Sequence, residues 1–415
     1  MNRLVLIGNG FDLAHGLKTS YADFIDWYWD KSALAICCIY AKEYSDELMS
    51  VKYKGDGYIY THFYGNTNPN FRKESGYGKY VIEELVNRPY FETTFSPLFE
   101  RITKCIETKG WVDIENEYYK LLTEYALPVV YQPFKKEGVK ELNEQLHYLQ
   151  ELLVEYLTEI TKQETNFHRY IKHLIYAPIN SEDIAVEGKE RWLDYVKSEM
   201  DKDEKALDYK RTDYGIRNNG CIYEISDFKN HPWDLKTKDY PDLARLPEHI
   251  MLLNFNYTNT PEKYLNREVA TIVPIHGELD KPESVIFGYG DEIDSSFKEL
   301  RDLKNGECLK NVKSMRYLEA PNYRNVLSFI ESAPFQVLIM GHSCGNSDRT
   351  LLNTIFEHKN CISIKPYFYQ KEDGSNNYIE LIQNISRNFN DMKLMRDRVV
   401  NKMQCEPLPQ IKKQE

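Results

Sequence analysis

The sequence lacks the features that mark membrane-spanning or disulfide-stabilised proteins. It contains no run of about 18 apolar residues, so we expect no transmembrane helix and no membrane partner. No charged and then apolar signal region precedes the first apolar run. The 8 cysteines are scattered without a CxxC pair, and the adjacent Cys37 and Cys38 cannot easily bridge each other. These absences predict a cytoplasmic protein without a disulfide framework or a zinc site.

Two further absences concern metal ions and nucleic acid. The 10 histidines include no HExxH-type pair, so no metal is expected. The formal net charge is −11, and no dense stripe of Lys and Arg appears. The electrostatic footprint of a duplex-binding protein is therefore missing, and we do not expect nucleic acid as a partner.

The residues that are present predict an α/β protein. Of the 415 residues, 42% are apolar and 28% charged, which is a globular composition for a chain of two or three lobes. Apolar runs of strand type occur at Leu4–Ile7, Ile250–Phe255, Ala270–Ile275, Ser284–Tyr289, Phe335–Met340 and Cys361–Tyr369. Near-continuous runs suit strands that are buried on both faces of a sheet. We therefore predict a Rossmann-like, doubly wound, mostly parallel sheet with large, mainly helical insertions.

The domain organisation follows from the positions of these runs. We predict a nucleotide-binding core from residues 1–30 and 246–375, an insertion at 31–94, a helical region at 95–179, a charged insertion or lid at 180–245, and a helical segment and tail at 376–415. Residues 52–80 are rich in Gly, Tyr and Asn and predict a loop or small hairpin. An apolar helix stripe contains Leu142, Leu146, Leu149, Leu153, Tyr156 and Ile160.

The first apolar run is broken by Gly8, Asn9 and Gly10, and a helical pattern follows it. Strand, glycine turn and helix form the opening unit of nucleotide-binding α/β folds, in which the glycines let the backbone approach a phosphate. The third glycine of the full fingerprint is replaced by Leu13. From the glycines alone, a nucleotide site and a tight turn without a ligand are equally well supported.

Polar or small residues follow four of the predicted strands. They are Gly8, Asn9, Gly10 and Asp12; Asn256, Tyr257, Thr258 and Asn259; His276 and Gly277; and Gly341, His342, Ser343, Asn346 and Asp348. Each residue has a plain structural explanation, such as a helix cap for Asn346–Asp348 or a satisfied core histidine for His276. In open α/β sheets, however, ligands bind at the carboxyl ends of strands. Together the four groups therefore favour a site.

This constellation resembles sirtuin-like NAD-consuming domains. The matching segments are IGNGFD, NFNYT, PIHG and IMGHSCGNSD, the last with one extra residue between Ser343 and Asp348. The resemblance implies a sirtuin-like fold with NAD as ligand or substrate. Asn256-Tyr257-Thr258 stands where sirtuin-like domains have Asn-Tyr-Asp, and the four-cysteine zinc module is missing. A protein deacylase is therefore not expected.

A second resemblance is to the bacteriophage abortive-infection AbiH family. It is carried by the segment GNGFD with Gly16, Tyr21 and Phe24, and by WVDIENEYY at 111–119. Trp111, Asp113 and Glu115 stand in the matching positions of the second segment. The resemblance implies a bacterial antiphage protein. Asp113 and Glu115 are additional site candidates, although a helix surface explains them equally well.

The two resemblances together imply hydrolysis of the nicotinamide–ribose bond of NAD. His276 would be the base, because an imidazole titrates near neutral pH, and Asn256 would hold the ribose or the attacking water. The other expected contacts with NAD come from Gly8, Asn9, Gly10, Asp12, Tyr257, Gly277, Gly341, Ser343 and Asp348. Among these, Gly8, Asn9 and Gly10 would receive the pyrophosphate, and Ser343 and Asp348 would contact the adenosine side.

Three functions remain open from the sequence. The first is an effector that cleaves NAD after phage infection, with a phage-derived trigger and a homo-oligomer as further partners. The second is a module that senses a nucleotide without catalysis. The third is a toxin that acts on nucleic acid, against which the acidic balance of the chain weighs.

Overall fold

In the computed structural model of this chain, the described residues are 1–64, 77–110, 112–127, 136–162, 165–202 and 246–411. They divide into two compact units. The first unit comprises residues 1–17, 164–285 and 314–415, and the second comprises residues 18–163 and 286–313. Each unit is therefore built from segments that are distant in the sequence.

The secondary structure alternates between strands and helices at both ends of the chain. The described strands are β1 (Asn2–Ile7), β2 (Glu43–Ser45), β3 (Met49–Tyr53), β4 (Phe91–Phe95), β5 (Ile250–Asn254), β6 (Ala270–Pro274), β7 (Phe335–Met340) and β8 (Cys361–Tyr367). The described helices are α1 (Asn9–Ala14), α2 (Tyr21–Cys37), α3 (Ile59–Tyr64), α4 (Tyr77–Asn87), α5 (Pro97–Lys109), α6 (Ile114–Ala126), α7 (Lys136–Ile160), α8 (Arg169–Tyr176), α9 (Val186–Lys202), α10 (Ser295–Asp302), α11 (Lys313–Arg316), α12 (Asn322–Ser332), α13 (Arg349–Phe356), α14 (Tyr378–Arg387) and α15 (Met392–Arg398).

The first unit contains a five-stranded parallel sheet in the order β6-β5-β1-β7-β8. Every residue of β1, β5 and β7 is buried, which explains why these strands read as continuous apolar runs. The strand order reverses at β1, whose neighbours are β5 on one side and β7 on the other. The predicted α/β class with a parallel sheet is therefore confirmed.

Five of the predicted strands agree with the structure to within two residues at either end, and the sixth is wrong. Residues 284–289 form no strand: Pro282–Ser284 is a 3-10 turn, and Tyr289 makes an isolated bridge with Val312. At Gly288 a Cβ would lie 2.0 Å from the carbonyl oxygen of Asn311, so this stretch is shaped by a close backbone contact.

The helical pattern that follows the first strand corresponds to two helices, the short α1 and the longer α2, which ends at Cys37. Ser20 caps α2, because its hydroxyl accepts a hydrogen bond from the backbone N–H of Asp23 at 3.1 Å.

The second unit contains an antiparallel sheet in the order β2-β3-β4. The helices α5, α6 and α7 occupy the predicted helical stretch, and the apolar stripe of α7 is buried apart from half-buried Ile160. The loop or hairpin predicted over 52–80 is wrong for its described part, which contains α3 and the start of α4; residues 65–76 lie outside the described residues. The first part of the charged stretch at 180–245 contains α9, and residues 203–245 lie outside the described residues.

Candidate functional site

Four loops at the carboxyl edge of the parallel sheet are joined by direct hydrogen bonds. The backbone N–H of Gly10 donates to the carbonyl of Gly341 at 2.8 Å, which joins the loops after β1 and β7. The side-chain amide of Asn256 donates to the carbonyl of Gly8 at 3.0 Å, which joins the loops after β5 and β1. His276, after β6, contacts Asp348, after β7. The sheet thus brings together the four polar groups that the sequence places after separate strands.

The glycines of the first turn are required by close backbone packing. A Cβ at Gly8 would lie 2.5 Å from the Cα of His342, and a Cβ at Gly10 would lie 2.9 Å from the Cα of Gly341. Gly341 has a φ of +76°, and a Cβ there would lie 2.0 Å from the backbone nitrogen of Phe11. These contacts explain the glycines without a ligand, so phosphate binding at this turn stays a prediction. Asn9 is exposed at the start of α1.

Asp12 is buried beside the first turn, and one of its two carboxyl oxygens accepts a hydrogen bond. Its Oδ2 accepts a hydrogen bond from the hydroxyl of Thr258 at 2.7 Å. Its Oδ1 has no hydrogen-bond partner among the described residues. Burial raises the pKa of Asp12 to about 6, although hydrogen bonds from Thr258 and Thr260 act to lower it. Asp12 is therefore a buried carboxyl group with an unused acceptor.

The loop after β5 is held together by asparagine side chains. The amide of Asn254 donates to the carbonyl of Thr258 at 2.9 Å, and its Oδ1 accepts the backbone N–H of Asn256 at 3.1 Å. Asn256 is 8% exposed, and half-buried Tyr257 has its ring 6.4 Å from that of His276. The loop therefore presents Asn256 and Tyr257 from a fixed backbone.

His276 is buried, and both of its ring nitrogens have partners. Nδ1 lies 3.1 Å from the carbonyl oxygen of Phe255, which can only accept, so Nδ1 carries a proton. Nε2 lies 3.1 Å from Oδ1 of Asp348 and 3.2 Å from the hydroxyl oxygen of Tyr317. An imidazole lone pair and a carboxylate oxygen repel each other at this distance. A hydrogen bond between Nε2 of His276 and Oδ1 of Asp348 therefore requires a proton on one of the two atoms.

Asp348 stands at a helix start without capping the helix through its side chain. It is the N-cap residue of α13, but its carboxylate makes no capping hydrogen bond. The carboxylate instead faces His276 through Oδ1 and His342 through Oδ2, at 3.1 Å and 3.6 Å respectively. The helix-cap explanation of Asp348 is therefore incomplete, because its side chain contacts two histidines.

The family to which the chain belongs is shown by comparison with known families. The family model described as "Bacteriophage abortive infection AbiH" matches residues 4–369 of the chain. The chain belongs to the AbiH family. No curated protein and no solved structure matches the chain. Membership of the AbiH family implies a role in defence against bacteriophage by abortive infection. The predicted resemblance of the sequence to this family is confirmed.

The second segment that resembles the AbiH family lies in the second unit. Asp113 caps α6 by accepting the backbone N–H of Asn116 at 3.0 Å. Glu115 is buried, and its carboxylate accepts from Lys313 at 3.0 Å and from the backbone N–H of Gly288 at 3.0 Å. A buried ion pair is costly to break, so Glu115 has a clear structural role. Its role as a site residue stays a prediction, as does that of Asp113; Trp111 lies outside the described residues.

Ser343 and Gly277 are the remaining predicted residues of this AbiH-family chain, one exposed and one buried. Ser343 is exposed, and its carbonyl accepts from the side-chain amide of Asn384 at 3.0 Å. Gly277 has a φ of +86°, and a Cβ there would lie 2.2 Å from the carbonyl oxygen of Ser284. Both residues follow strands of the parallel sheet, as predicted.

Sequence reasoning missed two residues that contact the His276–Asp348 pair. His342 belongs to the polar group after β7, which the sequence indicates as part of a site, but the sequence assigned no role to it. In the structure it contacts Asp348. Tyr317 belongs to a 3-10 turn at Tyr317–Glu319 and contacts His276 through its hydroxyl. It follows no strand, so no pattern in the sequence connects Tyr317 with His276.

The described residues contain neither a metal-binding cluster nor a membrane-spanning helix. Across this part of the chain, no group of three or more His, Cys, Asp or Glu side chains is arranged to hold a metal ion. Within the same residues, none of the helices combines the length and apolar character that crossing a membrane requires.

Proposed function

We propose that this AbiH-family chain is an antiphage effector that hydrolyses NAD at the bond between nicotinamide and ribose. The observation that carries the proposal is the contact between Nε2 of His276 and Oδ1 of Asp348 at 3.1 Å. Asn256 and the first glycine turn lie beside the pair in the same set of hydrogen-bonded loops. A parallel sheet whose order reverses at β1 supports a Rossmann-like arrangement, in which dinucleotides bind outside the carboxyl edge. The sequence resemblance to sirtuin-like domains supports NAD as the dinucleotide.

The proposed reaction needs a group that accepts a proton and one that stabilises positive charge. The bond between C1′ and the nicotinamide nitrogen breaks, and its electron pair neutralises the cationic nicotinamide as it leaves. Water adds to the oxocarbenium-like C1′ and releases one proton, so the products are nicotinamide, ADP-ribose and a proton. In the form that reacts, the proton between Nε2 of His276 and Asp348 has passed to solvent, so the lone pair of Nε2 takes the proton released by the attacking water. The carboxylate of Asp348 then stabilises the imidazolium that forms.

The residues around the pair supply contacts for the rest of NAD in this proposal. Asn256 holds the ribose or the attacking water through its amide. Oδ1 of Asp12 has no hydrogen-bond partner among the described residues, and a ribose hydroxyl would satisfy it. The pyrophosphate lies against Gly8, Asn9 and Gly10. The proposal uses a water molecule and no metal ion.

The test is the NAD content of bacteria that carry the protein, before and after phage challenge. The informative variant is His276→Ala. The matched control is His358→Ala, because His358 precedes β8 at the opposite edge of the sheet and pairs with Glu331 at 3.1 Å. We expect NAD to fall after challenge with the unmodified and His358→Ala proteins and to hold with His276→Ala. Constant NAD in cells that still block phage would overturn the proposal. The comparison before and after challenge also tests the proposed phage-derived trigger.

One observation favours a second candidate, a module that senses a nucleotide without consuming it. His276 and Asn256 are 4% and 8% exposed, and both already bond within the first unit. Side chains with satisfied partners must rearrange before they contact a ligand. For such a module, purified protein would bind NAD at equilibrium without releasing nicotinamide, and His276→Ala would weaken binding. Release of nicotinamide by the purified protein excludes this alternative.

A further inference from the structure

His342 lies against the second oxygen of the carboxylate that contacts His276. It follows Gly341 directly after β7 and is 6% exposed. Its Nε2 lies 3.6 Å from Oδ2 of Asp348, and its ring centroid lies 4.1 Å from that of Phe255. The carboxylate of Asp348 therefore lies between two buried imidazoles, one at each oxygen.

The hydrogen bond at the other ring nitrogen determines which tautomer His342 adopts. The backbone N–H of Cys344 donates to Nδ1 of His342 at 3.0 Å, so Nδ1 is an acceptor without a proton. The proton of the neutral ring is then on Nε2, the nitrogen that faces Asp348. Cys344 has a φ of +54°, which is uncommon for a residue with a Cβ, and Asn388 holds its carbonyl at 2.9 Å. A tight turn thus points the Nε2–H of His342 at the carboxylate.

We propose that His342 is a positioning residue, which holds Asp348 through its Nε2–H so that the other carboxylate oxygen stays against His276. At 3.6 Å the contact is longer than a hydrogen bond, so it acts as an electrostatic attraction. Both side chains are buried, at 5% and 10% exposure, and such attractions are stronger away from water. The consequence for catalysis rests on the proposed hydrolysis of NAD, whereas the arrangement of the side chains is measurable without NAD.

The alternative is that His342 matters through its other nitrogen, by closing the turn at Cys344. Two substitutions separate these roles. His342→Gln places an amide N–H near the position of Nε2 and loses the acceptor at Nδ1. His342→Asn places a carbonyl oxygen near the position of Nδ1 and loses the donor toward Asp348. Each variant therefore keeps one of the two contacts.

The direct measurement is nitrogen and proton NMR of the full-length protein with labelled histidine. Signals are assigned to His276 and His342 from the substituted proteins. We expect a hydrogen-bonded Nε2–H signal of His276, protected from exchange, in the unmodified and His342→Gln proteins. We expect that signal to be lost in His342→Asn. For NAD hydrolysis, we expect kcat to fall by about tenfold or more in His342→Asn with little change in KM, and His342→Gln to retain most of kcat.

Two results would overturn the inference. One is a protected His276 signal that survives in His342→Asn. The other is loss of that signal in His342→Gln, which keeps the donor toward Asp348, because this loss would assign the role to the turn. If neither variant folds, the nitrogen shifts of His342 in the unmodified protein decide, because a proton on Nδ1 contradicts the proposed tautomer. An unmodified protein that shows the expected signals without hydrolysing NAD would sink the proposed function and leave the arrangement intact.

Discussion

Nε2 of His276 and Oδ1 of Asp348 lie 3.1 Å apart, although the two residues follow β6 and β7, two strands that are not neighbours in the sheet. The loops after these strands meet although β5 and β1 separate the strands in the sheet. The contact places a buried carboxyl group beside the proposed base.

Replacing Asp348 is expected to remove most of the proposed activity. Asp348→Asn takes away the negative charge that faces His276, and we expect the rate of nicotinamide release to fall by about a hundredfold. The matched control is Asp302→Asn, because the side chain of Asp302 is 61% exposed and pairs with Arg301 at the surface. The measurement is steady-state hydrolysis of NAD by the purified proteins. Equal rates for Asp348→Asn and the unmodified protein would remove Asp348 from the mechanism.

Asp12 is expected to make stability depend on pH. Burial raises its pKa from 3.8 to about 6, so the folded state favours the protonated carboxyl. The stability that this group contributes is present below about pH 4 and is lost as pH rises through about 6. At neutral pH the ionised group costs roughly 3 kcal/mol or less. Asp12→Asn should therefore be more stable than the unmodified protein at pH 8, with a smaller difference between the two at pH 4.

Urea unfolding at the two pH values measures this effect. The comparison is the change in the free energy of unfolding between pH 4 and pH 8 for each protein. A change that is the same with and without the carboxyl group would show that Asp12 has an ordinary pKa in the folded state.

Gly341 is expected to tolerate no side chain. In Gly341→Ala, the new Cβ would lie 2.0 Å from the backbone nitrogen of Phe11, at a φ of +76°. We expect a loss of about 2 kcal/mol or more in the free energy of unfolding, since overpacking and a left-handed backbone both oppose alanine. Gly374→Ala is the control, because Gly374 has a φ of +81° with nothing within 4 Å of the added Cβ. Equal losses in the two variants would mean that the backbone conformation, and not the contact with α1, sets the cost.

The buried pair of Lys313 and Glu115 is expected to matter more than a surface pair. Lys313→Met removes the ammonium group from a carboxylate that is 9% exposed, and we expect a loss of about 3–5 kcal/mol. The control is Lys52→Met, which breaks a surface pair in which the side chains of Lys52 and Glu43 are 58% and 66% exposed. There the loss in the free energy of unfolding should be below about 1 kcal/mol. Thermal and denaturant unfolding of both variants provide the comparison. A small loss for Lys313→Met would mean that the segment around Glu115 rearranges to let water in.

The sequence predicted the strands well where apolar runs are long and uninterrupted. All six residues of Phe335–Met340 are buried in β7, as the run indicates. The same reasoning failed at Ser284–Tyr289, where most of the side chains are buried in a loop. In the sequence, a short apolar run in a buried loop cannot be distinguished from a short buried strand. The close approach of Gly288 to Asn311 decides that conformation, and such a contact leaves no periodic signal in the sequence.

The candidate site was predictable in its location and less so in its contacts. His276 was identified because it directly follows an apolar run, and Asp348 because it belongs to the polar segment that comes after Phe335–Met340. Their pairing could not be predicted, since nothing in the sequence says which loops meet. Glu115 shows the same limit, because its partner Lys313 is distant in the chain.

The sequence by itself determined the α/β class, the membership of the AbiH family and the places where polar groups leave the strands. These properties depend on local order along the chain, such as apolar runs and short motifs. The tertiary structure alone decided the strand order, the contact between His276 and Asp348, and the position of His342 at the second carboxylate oxygen. Hydrogen bonds require atoms about 3 Å apart, and only folding sets such distances between residues that are remote in sequence.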